Sequence, residues 1–136
     1  MAEWISWSHD LTVHVDKIDL QHRELIRRFN DLGEAVWDGK GKEAIGMTLR
    51  FLADYTVEHF RAEEDLMEVY SYPMYLQHKK VHDDFVAEVA AFIKDFESKE
   101  VDSALIIQVL GKLGDWTRQH IRVMDKEVGE FIRSKM

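Results

Sequence analysis

Apolar residues recur at steps of three and four along four long segments of this chain. A sequence written that way has to bury four helical faces, and that leaves few folds open to it. The first stripe reads Ile18, His22, Leu25, Phe29, Leu32, Val36, and the second Ile45, Leu49, Leu52, Thr56, His59, Glu63, Leu66, Tyr70. The third reads Tyr75, His78, His82, Phe85, Val89, Phe92, Phe96, and the fourth Ile106, Val109, Leu113, Trp116, His120, then Val128 and Phe131. Breaks fall near residues 39–41, 71–73 and 98–101, the second holding the single proline, Pro73. Asp16 is the expected N-cap of the first helix, and Asp102 or Ser103 that of the fourth. Short connections between four such helices predict an all-α fold, an up-down-up-down antiparallel four-helix bundle. The expectation is one domain over residues 1–136, with the bundle over about 16–133. Residues 1–15 form an extended N-terminal arm whose Trp4, Trp7, Leu11, Val13 and Val15 pack against it.

Composition narrows the chemistry. The 136 residues contain no cysteine, so any metal must be held by nitrogen and oxygen ligands. A formal net charge of -8 repels phosphate backbones and anionic lipid surfaces, so neither nucleic acid nor a membrane is an expected partner. The first residues lack the basic and apolar run of a secretory signal, and no apolar run has the length of a membrane span. The expected compartment is therefore the cytoplasm.

The informative residues are the polar ones on apolar stripes. Every stripe carries histidine: His22, His59, His78, His82 and His120. Glu63 follows His59 by one helical turn on the same face. Buried imidazoles and an unpaired carboxylate are costly, and a core does not collect six such groups without a compensating partner. One histidine on an apolar face is ordinarily a hydrogen-bonded core residue, but here that explanation has to serve five times independently. His59/Glu63 and His78/His82 each project two ligands from successive turns toward one point, while His22 and His120 add one from each remaining helix. His9 and His14 fall outside the stripes and are expected to be surface or arm residues.

Asp125 is the awkward member. Five residues after His120 it lies roughly 140° away around an ideal helix. For both to reach one site the helix must distort, for example by a local π-type turn, and such a distortion is predicted; taken alone, Asp125 reads as a solvated surface carboxylate. Met47, Met67, Met74 and Met124 are expected to fill gaps in the core. Glu64 and Asp65 should be solvated, as should Lys79 and Lys80.

Taken together the pattern resembles the hemerythrin family, on Trp7 with the run from Val13 to His22, His59-Phe60-Arg61-Ala62-Glu63-Glu64, His78-Lys79-Lys80-Val81-His82, and Trp116 with His120-Ile121 and Asp125. The resemblance implies two iron ions, Fe2+ or Fe3+, joined by an oxo or hydroxo bridge, with dioxygen as ligand. It implies that His78, His82 and His120 bind one iron, that His22 and His59 bind the other, and that Glu63 and Asp125 bridge them. The two-histidine iron would keep an open position for oxygen. Trp116 and Thr117 are candidates for the wall of the oxygen pocket. The chain departs from the family pattern at two places. The family commonly has glycine where this chain has His14, and often leucine where it has Thr117. A hydroxyl at Thr117 is expected to admit water or hydrogen-bond the bound oxygen species, changing the rate of autoxidation.

The function so implied is reversible dioxygen binding for storage, delivery or sensing, with an oxygen-consuming enzyme as a candidate partner, and no enzymatic activity of its own. The competing readings are a di-iron enzyme acting on peroxide, nitric oxide or oxygen, iron storage or detoxification, and a zinc site. No general acid or base beyond the ligands lies on the stripes, which weighs against an enzyme. Zinc is satisfied by four ligands, so a set of seven exceeds its needs.

Overall fold

A computed structural model describes residues 5–98 and 101–136. They form helix α1 (Asp16–Trp37), α2 (Gly41–Val69), α3 (Tyr75–Ser98) and α4 (Ser103–His120), with α5 (Lys126–Lys135) continuing α4 beyond one irregular turn. The architecture is the expected antiparallel four-helix bundle, with no strand among the described residues. None of these helices is long and apolar enough to cross a membrane.

The helices end where local chemistry stops them. After Trp37 the chain turns at Gly39 (φ 78°), whose N–H donates to Val36 O while that of Lys40 donates to Ala35 O at 2.7 Å, the paired bonds of a Schellman turn. The same pair closes α2, with Ser71 (φ 56°) in the left-handed position and the Tyr72 N–H reaching back to Met67 O. Asp102 caps α4 as expected, accepting from the Leu105 N–H at 2.8 Å. Asp16 does not cap α1. It is the first helical residue, Val15 takes the cap position without a side-chain bond, and an acidic group inside the first turn is favourable there. Asp19, one turn on, instead accepts from the Val13 N–H at 2.9 Å and the Thr12 hydroxyl at 2.5 Å, tying the arm to the helix.

The four stripes face inward as written. They build a main apolar cluster around Phe29, Leu49, Leu52, Phe85, Val89 and Leu113, while a smaller one joins Val128 to Met67, Tyr72 and Ile132, which lie off the stripes. Of the methionines, Met67 is fully buried, but Met47 and Met74 are exposed. Met47 stands two residues from both Ile45 and Leu49, hence on the outer face of α2, and Met74 lies in the turn before α3.

The arm is seated by contacts at several points. Ile5, Leu11 and Val13 are buried, and Trp7 packs on the main cluster, while Trp4 lies outside the described residues. It is not wholly extended, because a 3-10 turn over His9–Leu11 interrupts it. The Ile5 backbone pairs with the Asn30 side chain, and Lys126 donates to Asp10 O at 3.1 Å. Gly129 of α5 lies under the arm. A Cβ there would stand 2.0 Å from Val13 O, so only glycine allows this approach. His14 is exposed and holds φ 62°, a conformation that costs glycine nothing. The histidine at this position therefore bears on backbone strain rather than on packing.

Candidate metal centre

Between the two apolar clusters the stripes turn polar on all four helices at the same level. His22 comes from α1, His59 and Glu63 from α2, His78 and His82 from α3, and His120 from the end of α4. Asp125 joins them because Ile121–Asp125 forms a π-helical turn, which removes the angular mismatch with His120. All seven metal-ligand candidates named from the sequence meet here, and none is more than 6% exposed.

The two carboxylates each divide their oxygens between two groups of imidazoles. Glu63 Oε1 lies 2.7 Å from His59 Nε2 and 3.1 Å from His22 Nε2, while Oε2 lies 3.3 Å from His82 Nε2 and 3.5 Å from His78 Nε2. Asp125 Oδ2 lies 2.9 Å from His22 Nε2, and Oδ1 lies 3.0 Å from the Nε2 of both His78 and His120. The result is two donor groups sharing both carboxylates, one with His78, His82 and His120 and one with His22 and His59.

A metal pair fits these donors on two observations. First, Glu63 Oε2 and both Asp125 oxygens are buried and touch imidazole nitrogens without hydrogen-bond geometry. Buried carboxylate oxygens left that way are costly unless a cation answers them. Second, His120 Nε2 stands 3.1 Å from His78 Nε2 and 3.0 Å from His82 Nε2. Ligand atoms about 2.1 Å from one cation and at right angles to each other stand about 3.0 Å apart, so nitrogens crowded at this distance suit a shared ion.

Without a cation the site balances itself with protons. Burial alone would depress the His22 and His78 imidazoles, but the Asp125 and Glu63 carboxylates beside them outweigh it and lift both to about 9. Burial likewise pushes Glu63 and Asp125 up, and the surrounding imidazoles, His59 for the first and His120 for the second, hold them well below the ordinary carboxylate range. Two imidazolium groups thus face two carboxylates. Metal ions would displace those protons.

The outer imidazole nitrogens have unequal partners. His82 Nδ1 donates to Glu64 Oε2 at 2.9 Å, and His59 Nδ1 donates to Gln21 Oε1 at 2.6 Å. The Nδ1 atoms of His22 and His120 are buried with no partner. Glu64 is therefore not the solvated residue expected from its charge run, since its side chain is only 17% exposed. About 100° round α2 from Glu63, it reaches the flank of α3 rather than water. Neither Glu64 nor Gln21 could be read from the stripes, because each serves a histidine of another helix. Their one signal was a polar residue adjacent to a ligand.

Trp116 lies flat on His120 (4.5 Å between ring centroids, 11°) and on Phe85. With Thr117 it lines a small cavity of about 10 Å3, next to His22 and His59 and walled by Leu25, Phe60, Phe85 and Ile121, at the lower limit for one water-sized guest. The Thr117 hydroxyl donates to Leu113 O at 2.8 Å, which commits its proton to the helix backbone. His9 and His14 are exposed and belong to neither donor group.

A family model for the hemerythrin HHE cation-binding domain matches residues 13–132. The chain is similar to a bacteriohemerythrin of Stenotrophomonas maltophilia, with 33% identity over 96% of this chain and 82% of that protein. It is also similar to myohemerythrin-1 of Phascolopsis gouldii, with 27% identity over 88% and 87% of the two chains. Among solved structures, wild-type hemerythrin superposes with a TM-score of 0.79 at 30% identity, covering 95% of this chain and 98% of that one.

Proposed function

The chain belongs to the hemerythrin family, and on that premise we propose that it binds dioxygen reversibly at a di-iron centre held by the seven converging side chains. His78, His82 and His120 would hold one iron, His22 and His59 the other, and Glu63 and Asp125 would span the pair beside an oxo or hydroxo group. Iron, cycling between its ferrous and ferric states, would supply the electrons that oxygen borrows and returns. The observation that carries this reading is the division of each carboxylate, one oxygen to each imidazole group.

The protein's own contribution is to orient and to exclude. Four helices hold the imidazoles with their Nε2 atoms inward, and the outer bonds to Glu64 and Gln21 keep the proton of two of them on Nδ1. Phe60, Phe85, Trp116 and Ile121 keep bulk water from the small cavity beside His22 and His59. Thr117 offers that space an oxygen that accepts but has no free proton to donate. Five neutral imidazoles and two carboxylates stabilise high-valent iron less than carboxylate-rich di-iron sites do, which favours reversible binding over oxidation chemistry.

The test is reconstitution with ferrous iron in the absence of air, followed by exposure to oxygen and then its removal. Two iron ions per chain and a visible charge-transfer band that appears and disappears with oxygen are expected. Irreversible bleaching, or a metal count that stays at one per chain, would overturn the reading. Thr117→Leu should alter the autoxidation rate, and an unchanged rate would remove Thr117 from the pocket's chemistry.

A further inference from the structure

The two imidazole groups differ in what stands behind them. On the three-histidine side, His82 is gripped by two residues of α2 one turn apart. Phe60 lies flat on its ring, with centroids 3.8 Å apart and planes 3° from parallel, and Glu64 accepts its Nδ1–H at 2.9 Å. On the two-histidine side the corresponding grip is neutral, because His59 donates to an amide, Gln21 Oε1, and His22 Nδ1 has no partner. An acceptor of either kind fixes the tautomer. Only the carboxylate adds negative charge behind the ring and makes the inward nitrogen a stronger donor to a cation. Glu64 also lines a surface cleft with Arg61 and Lys79, so its charge acts on His82 through their direct hydrogen bond rather than at a distance.

We propose that Glu64 is a positioning residue that, through the charge it places behind His82, makes the His78/His82/His120 group the first to load with metal, the His22/His59 group filling second. The inference rests on the di-metal reading above, and it adds an order of assembly and a residue outside the ligand set that enforces it. Both groups share Glu63 and Asp125, so the difference between them lies in the imidazoles and what stands behind them.

Cobalt(II) titration of the metal-free full-length chain, without air, tests this by absorption and calorimetry. The unaltered chain should take two ions in two resolved steps. Glu64→Gln keeps the shape and a hydrogen-bond acceptor and removes only the charge, so it should weaken the first step about 10- to 100-fold and leave the second unchanged. Gln21→Leu should do the reverse, weakening the second step and sparing the first. A first step of unaltered affinity and spectrum in Glu64→Gln, with two ions still bound, would overturn the inference and leave the di-iron reading standing. A total of one ion in the unaltered chain would overturn that reading itself.

Discussion

The two levels of this bundle are built from the same stripes and behave in opposite ways. In the main cluster Phe29, Leu49, Leu52, Phe85 and Leu113 bury hydrocarbon, each contact lowering the free energy of the fold. One level away, the same helix faces bury five imidazoles and two carboxylates, three of whose oxygens lack a hydrogen bond. The apolar level specifies the fold, and the polar level is tolerated because the apolar one supports it on either side. A metal site can be held rigidly when its cost is carried by a different part of the core.

That contrast can be broken most sharply by exchanging the two roles. Phe29→Ala should cost about 3–5 kcal/mol of stability, measured by denaturant unfolding, and leave the metal count per folded chain unchanged. His120→Leu should do the opposite. It removes a ligand, so the metal count should fall, while the metal-free fold should lose less stability than in Phe29→Ala, because Asp125 keeps the His22 and His78 imidazoles as partners. Equal loss of stability in both variants would erase the distinction between the levels.

The next effect is in pH. His22 and His78 stand at about 9 in the metal-free fold against an ordinary 6.5, so the fold favours their protonated forms. That stability is fully present below pH 6.5 and is lost as pH rises through about 9. Glu63 and Asp125, held below their ordinary 4.5 and 3.8, contribute stability that is present above those values and lost as pH falls. Metal-free protein should therefore be most stable between roughly pH 5 and 6.5 and decline toward pH 9. Metal-loaded protein should not show the alkaline decline, because its imidazoles have no such proton to lose. A flat profile for the metal-free chain would show that the polar level is not held together by these pairs.

Smaller effects sharpen the comparison at the arm. It covers a second small cavity, lined by Val13, Val15 and Gly129, that borders Glu63 and Asp125. Gly129→Ala places a methyl group against Val13 O and should cost about 1–3 kcal/mol, with faster amide exchange around Val13 as the check. An alanine tolerated without loss would mean the arm is not seated on α5. The smallest change is His14→Gly, which relieves a left-handed backbone and should raise the unfolding free energy by less than about 1 kcal/mol.

The sequence was sufficient for whatever repeats along one helix. The stripes and six of the seven side chains of the polar level follow from a 3.6-residue period. Asp125 falls off that period; the resemblance placed it among the ligands, and the helical distortion this requires is present as the π turn. Readings that treated a residue only by its neighbours in sequence went astray. Glu64 looked like part of a solvated charge run, Met47 like core filler and Asp16 like a cap.

Only the tertiary structure decided how helices meet. The division of Glu63 and Asp125 between two imidazole groups, the grip of Phe60 and Glu64 on His82, and the seat of Val13 on Gly129 each join residues of different elements. Their distances depend on how far each helix is rotated and shifted against its neighbours. That relation is set by the packing of the whole core, and no local period along the chain encodes it.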